Sequence, residues 1–193
     1  MNKTEQLEQF RGTQQLEQYR ALVKDYSKVL DLSSPKMLNE FEIGIERSQP
    51  FIQALESNAT VLDVGSGAGL PAIPIAIMRP DIQITLCEIR SKRAAFLERV
   101  VSSLKLTNSR VYQGDVRKLE QKYDVVTALW LGSLEQIYKL VEPNLAQKWE
   151  IMTRKGGTVE QESEALQKLN PFIQIKTTQL EDGAYFVILS GGQ

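Results

Sequence analysis

The segment Val61-Leu62-Asp63-Val64-Gly65-Ser66-Gly67-Ala68-Gly69-Leu70-Pro71 constrains the fold more than any other stretch of the chain. Residues suited to a buried strand run directly into a loop with glycine at every second position. Pro71 and Pro74 then open an apolar helical stretch. Glycine serves where the backbone must take positive φ, or where a ligand presses against the main chain. Proline is tolerated in the first helical turn, where its missing N–H would lack an intrahelical partner anyway. The segment therefore reads as strand, tight ligand-cradling turn and helix start, a loop suited to a nucleotide-type cofactor.

From Thr60 the chain alternates strands with helices. The expected strands are Thr60–Val64, Gln83–Glu88, Ser109–Gln113, Asp124–Leu129 and Trp149–Thr153, and the expected helices Leu70–Arg79, Lys92–Leu104, Leu134–Leu140 and Glu160–Leu169. Such alternation predicts an α/β fold: a parallel sheet with right-handed crossovers and helices on both faces. The end differs, because Phe172–Gln179 and Ala184–Leu189 are joined only by a turn at Glu181-Asp182-Gly183 and predict an antiparallel hairpin. Five parallel strands closed by that hairpin make a Rossmann-like, mostly parallel seven-stranded sheet, the layout of class I S-adenosylmethionine-dependent methyltransferases. Residues 1–57 lack strand runs: Leu7, Phe10, Leu16, Tyr19, Leu22, Val23, Tyr26 and Leu30 recur at helical spacing. Asp31-Leu32-Ser33-Ser34-Pro35 then starts a second helix running to about Leu55, with an interruption near Gly44 or Pro50. The expected division is a helical N-terminal extension, 1–57, and a methyltransferase domain, 58–193.

The chain of 193 residues holds one α/β domain with a small appendage. Its net charge of −1 supplies no global field for nucleic acid, so any RNA contact must use a local basic patch. With no histidine, chemistry that needs an imidazole is excluded, and with a single cysteine no zinc site is expected. That cysteine, Cys87, lies among Ile84, Leu86 and Ile89 and reads as inert core rather than a nucleophile. No stretch has the apolar length of a membrane span and MNKTEQLEQFRGT has no signal-peptide core, so the expected location is the cytoplasm, without membrane or metal partners.

Three acids fall at successive strand ends. Gly65, Gly67 and Gly69 form G-x-G-x-G, one residue tighter than the dinucleotide fingerprint. Asp63, just before the loop, can accept from an ammonium or order the loop itself. Glu88 ends the second strand, where a carboxylate can hold a ribose hydroxyl pair. Asp115, after the third strand, can accept from an adenine amino group. This arrangement suits the cationic S-adenosylmethionine and suits a pyrophosphate poorly; the alternative is that the acids are solvated strand ends or helix caps.

Asp63 through Pro74, followed by Arg79-Pro80, Thr85-Leu86-Cys87-Glu88, Ser91-Lys92-Arg93 and Phe96-Leu97, resembles the RsmG (GidB) family, bacterial methyltransferases acting on N7 of a guanine in small-subunit ribosomal RNA. Gly-Leu-Pro-x-Ile-Pro carries most of the resemblance, which is strong over residues 60–100 and weaker at Gln113–Val116, Tyr123–Thr127, Arg154-Lys155-Gly156 and Asp31-Leu32-Ser33. It implies an S-adenosylmethionine cofactor bound around Asp63, Gly65, Ser66, Gly67, Gly69, Leu70, Glu88, Asp115 and Val116. Lys92 and Arg93 would lie near the RNA, or else form an ordinary solvated helix face. Trp130 is the candidate for stacking on a base or, alternatively, for packing the next helix. Arg154 and Lys155 either meet phosphate or mark an exposed turn.

The resemblance breaks at three places. Gly44 stands where the family has a histidine. Ala128-Leu129-Trp130 replaces Ser-Arg-Ala, so Leu129 takes the position of a crevice arginine, whose guanidinium leucine cannot replace. Asp115 and Arg117 reverse an Arg-x-Glu pair. The alternatives are therefore a methyltransferase on the same fold with a different RNA or small-molecule substrate, and a non-catalytic relative that binds cofactor or ribosome.

Overall fold

The computed structural model describes the backbone of residues 3–32 and 34–192 and the side chains of 14–32 and 34–192. Leu7, Phe10 and Ser33, used above, have side chains outside the described residues. Three helices come first: α1 (Lys3–Asp25), α2 (Pro35–Glu46) and α3 (Gln49–Ala54). The α/β part follows as β1 (Thr60–Val64), α4 (Ala72–Met78), β2 (Gln83–Glu88), α5 (Ser91–Ser103), β3 (Ser109–Gln113), β4 (Tyr123–Ala128), α6 (Leu134–Val141), β5 (Leu145–Lys155), α7 (Val159–Leu169), β6 (Gln174–Gln179) and β7 (Tyr185–Gly192).

The seven strands lie in the order β3-β2-β1-β4-β5-β7-β6. The first five are parallel, and β7 inserts antiparallel between β5 and β6. This is the expected sheet with its terminal hairpin. The C-terminal ends of β2, β1 and β4 thus emerge side by side, the place where open α/β sheets bind ligands.

Several boundaries differ from the sequence reading. β4 begins at Tyr123 and stops at Ala128, because Leu129 already turns into the loop. β5 reaches back to Leu145, which pairs with Tyr123 across an irregularity of register, while Lys148 pairs with Gly192 of β7. Phe172 belongs to a turn, exposed, and β6 starts at Gln174. The second helical stretch breaks at Arg47-Ser48, where the Ser48 hydroxyl donates to the Gly44 carbonyl at 2.9 Å and Pro50 opens α3.

One face of the sheet packs α4 and α5 together with the N-terminal helices. Tyr19, Val23, Phe41, Ile45 and Phe51 share a buried cluster with Ile73, Ile75, Phe96 and Leu97. Each such side chain removed from water contributes roughly 1.5–3 kcal/mol before entropy is counted. The other face buries Leu62, Val126, Ile137 and Val141 against α6 and α7. Arg79, from the family-like Arg-Pro pair, has a structural role: it donates to the carbonyls of Ile52, Leu55 and Glu56 and pairs with Asp81, tying α3 to the end of α4.

Candidate cofactor and substrate site

The loop after β1 is built almost entirely from backbone hydrogen bonds. The amides of Gly65 and Ser66 donate to the Cys87 carbonyl at 2.9 and 3.2 Å, and the Gly69 amide donates to the Ser66 carbonyl at 2.6 Å. Ser66 is buried, its hydroxyl donating to the Asp63 carbonyl at 3.0 Å, so it shapes the turn from within. Glycine is required twice over at position 69. The backbone there has φ +101°, and a Cβ would lie 2.6 Å from Ile73 and 3.0 Å from the Tyr19 hydroxyl. Pro71 caps α4 and Pro74 sits in its first turn, as the sequence suggested.

Glu88 closes onto this loop. One carboxylate oxygen accepts the Gly67 amide at 2.9 Å and the other the Arg90 amide at 2.8 Å, with the side chain only 4% exposed. Each oxygen retains acceptor capacity, since a carboxylate offers about four lone-pair sites.

Asp63 is 1% exposed. Thr127, its register partner on β4, donates to one carboxylate oxygen at 2.6 Å, and the other has no hydrogen-bond partner among the described residues. Burial pushes the Asp63 carboxyl up to about 7, opposed by the Thr127 and Ser66 hydroxyls and reinforced by the nearby Glu88 charge. A buried carboxylate oxygen without a donor fits a cationic ligand group, the feature expected of S-adenosylmethionine. Cys87 is buried and its thiol is pushed up to about 12 by burial and by the charges of Asp63, Glu88 and Asp115, which makes it core and not a nucleophile.

Asp115 lies one strand over. Arg117 grips it: the guanidinium Nε donates to both carboxylate oxygens, at 2.9 and 3.0 Å, and the Arg117 amide caps one of them. These contacts hold the carboxyl down to about 2, so it is ionised and already engaged. Val116 is buried beside it, within the cluster on the α6 face.

Beyond β4 the chain makes a tight excursion, with Trp130 at φ +54° and Gly132 at φ +116°. Leu131 in this segment comes within 3.1 Å of where a Gly65 Cβ would stand, which brings residues 129–132 to the rim of the glycine loop. Trp130 is 70% exposed, so it does not pack the next helix. Leu129 is buried and joins the cluster beneath the N-terminal helices.

The predicted basic residues divide. Lys92 is exposed at the start of α5 with no acidic partner among the described residues. Arg93 turns back toward the chain, donating to the Leu30 carbonyl at 3.4 Å and lying 3.9 Å from Asp31. Arg154 and Lys155 are neither an exposed turn nor free charges. Arg154, 11% exposed, pairs with Asp182 in the hairpin turn, an acid that Arg47 also reaches at 3.0 Å. Lys155, 9% exposed, pairs with Glu162 at 2.9 Å and donates to the Gly132 carbonyl. Both lie where the end of β5 meets other elements: Lys155 pairs one to one with Glu162, whereas Arg154 and Arg47 share the single Asp182 carboxylate, which leaves one positive charge over among these described residues.

Four residues that the sequence places in elements or turns, Tyr19, Ile89, Thr127 and Asp182, have a part in this region that the sequence does not assign. Ile89 follows Glu88 and is 67% exposed, an apolar residue standing in the crevice mouth. Its signal was present, an apolar side chain immediately after a strand-terminal acid. Thr127 becomes visible only through the β1–β4 register, and Tyr19 and Asp182 only through tertiary contacts.

The sheet order and the glycine loop facing a strand-end acid define a class I S-adenosylmethionine-dependent methyltransferase. A solved S-adenosylmethionine-dependent methyltransferase from Aquifex aeolicus has the same fold, with a TM-score of 0.62 at 15% identity, covering 85% of this chain and 97% of that one. More particularly, the sequence model of the GidB family, rRNA small subunit methyltransferase G, matches residues 12–184, and the chain belongs to that family. It is similar to ribosomal RNA small subunit methyltransferase G of Brachyspira hyodysenteriae, 28% identical over 91% of this chain and 89% of the relative. The protein of that name from Helicobacter pylori is 30% identical over 76% of this chain and 84% of its own length.

Proposed function

We propose that this chain methylates N7 of a guanine in small-subunit ribosomal RNA, acting in the cytoplasm, with residues 58–193 as the catalytic domain and 1–57 as a helical extension built onto it. The observation that supports this most is the family match, which runs through both the helical part and the sheet.

Bound S-adenosylmethionine supplies a methyl group on a sulfonium, open to in-line attack by a lone pair. In this reading Glu88 accepts from the ribose hydroxyls, while Leu70 and Ile89 give apolar contact. Asp63 faces the amino acid end, where its unpartnered oxygen accepts from an ammonium. Asp115, already held by Arg117, shares its outer lone pairs with the adenine amino group. Guanine N7 carries an available lone pair and loses no proton before attack, so a chain without histidine needs only to position and desolvate it. Trp130 stacks on the extruded base, a contact worth about 1–3 kcal/mol. Lys92 meets phosphate.

A second reading, the same transfer to another RNA or to a small molecule, draws on Leu129, which places a buried apolar side chain where the family resemblance expects an arginine. Methylation assays with purified small ribosomal subunits and with free guanosine nucleotides separate the two. The first reading expects transfer to the subunit and none to the nucleotides, and the reverse pattern would favour the second.

A further inference from the structure

The glycine loop is held from two sides. From the sheet come Cys87 and Glu88, as described. From the opposite side come two contacts of the N-terminal helices, and a third from Arg93 of α5, which is itself tied to the turn after α1. The Tyr19 hydroxyl donates to the Ala68 carbonyl at 2.6 Å, from 49 residues away. Gly44 of α2 lets Leu70 approach so closely that a Cβ at residue 44 would stand 2.5 Å from its methyl carbon. Arg93, bonded to the Leu30 carbonyl, lies 3.7 Å from the position of a Gly67 Cβ.

Tyr19 is the most specific of the three. It is completely buried, so its hydroxyl has no water to exchange for the Ala68 carbonyl. Its ring is fixed edge-on to Phe41, with centroids 5.2 Å apart. The phenol also packs close over Gly69, where a Cβ would stand 3.0 Å from the hydroxyl, so the same glycine that permits the turn leaves room for the tyrosine of α1.

We propose that Tyr19 is a positioning residue for cofactor binding, its hydroxyl fixing the turn of residues 66–70 through the Ala68 carbonyl. The helical extension is then part of the cofactor site and not only a platform beside it. This rests on the reading of residues 65–70 as the cofactor loop.

The test is calorimetric titration of S-adenosylmethionine into the full chain, alongside thermal unfolding and RNA binding. Tyr19→Phe keeps the ring and removes only the donor. Its Kd for the cofactor should rise about three- to tenfold, as expected for one lost hydrogen bond, with the Kd for RNA unchanged. Phe41→Leu loosens the same packing without touching the hydroxyl, and should lower the Tm while leaving the cofactor Kd as in the wild type. A wild-type cofactor Kd in Tyr19→Phe would overturn the inference, and so would an equal loss of affinity in Phe41→Leu. Gly67→Arg separates this from the underlying reading: if a folded Gly67→Arg binds cofactor as the wild type does, the loop assignment itself falls.

Discussion

The Gly67 amide and the Glu88 carboxylate meet at 2.9 Å across 21 residues of sequence, joining the cofactor loop to the end of the neighbouring strand. The second oxygen of Glu88 is held by the Arg90 amide, so the carboxylate is fixed in place. Glu88→Gln turns part of this acceptor into a donor facing another donor. The expected outcome is a rise of roughly tenfold or more in the Kd for S-adenosylmethionine and a stability loss of about 1–3 kcal/mol, read by titration and denaturant unfolding.

Asp63 gives the site a pH dependence. Its carboxyl is pushed up to about 7 from an ordinary 3.8. Through that window the folded chain keeps a proton that the unfolded chain has released, so stability falls as pH rises. The cofactor-free wild type should lose Tm from about pH 4 to about 7 relative to Asp63→Asn, which keeps an acceptor for Thr127. A cationic group beside Asp63 favours the carboxylate, so affinity for S-adenosylmethionine should increase with pH across neutrality in the wild type and stay flat in the variant.

Trp130 combines high exposure with a left-handed backbone. Trp130→Gly relieves the backbone at a position where glycine is at ease, so the Tm should hold or rise slightly. The loss of stacking should lower kcat/KM for the RNA by roughly tenfold, with the KM for cofactor unchanged. Steady-state kinetics with each substrate varied in turn checks this.

The basic residues should separate by role. Lys92→Gln should weaken RNA binding and reduce the slope of log affinity against log salt by about one, as for the loss of one phosphate contact. Arg154→Gln leaves Asp182 facing Arg47 alone and should act on stability, by about 1–2 kcal/mol, with the salt slope unaltered. Filter binding over a salt series, with Tm measured in parallel, distinguishes the two effects.

Gly44→Ala should destabilise the chain by about 1 kcal/mol at most, because the new methyl group must displace the end of the Leu70 side chain within a packed cluster while alanine favours the helix by roughly 0.5–1 kcal/mol. Thermal unfolding reads this directly.

The strands β1, β2 and β3 were legible from sequence because each is a short run bounded by turn residues, with a helical period after β1 and after β2. β5 was only half legible: Leu145-Ala146-Gln147-Lys148 has no alternating or β-branched pattern, and its strand conformation comes from the pairing of Leu145 with Tyr123 and of Lys148 with Gly192. The loop and Glu88 were legible because glycine spacing and a strand-terminal acid are local signals. Trp130 could be located but not oriented, since a tryptophan after a strand is compatible with either the core or the surface. The burial of Arg154 and Lys155 has no local signal, because their acidic partners, Asp182 and Glu162, come from other elements. Tyr19 had no local signal at all, because its role depends on a carbonyl 49 residues away and a missing Cβ at Gly69.

The most direct test of the account is nucleoside mass spectrometry of small-subunit ribosomal RNA from a strain lacking this chain. The expected result is loss of 7-methylguanosine at one position, restored by the wild-type chain and not by Gly67→Arg. An unchanged 7-methylguanosine content in the deletion strain, or restoration by Gly67→Arg, would contradict it.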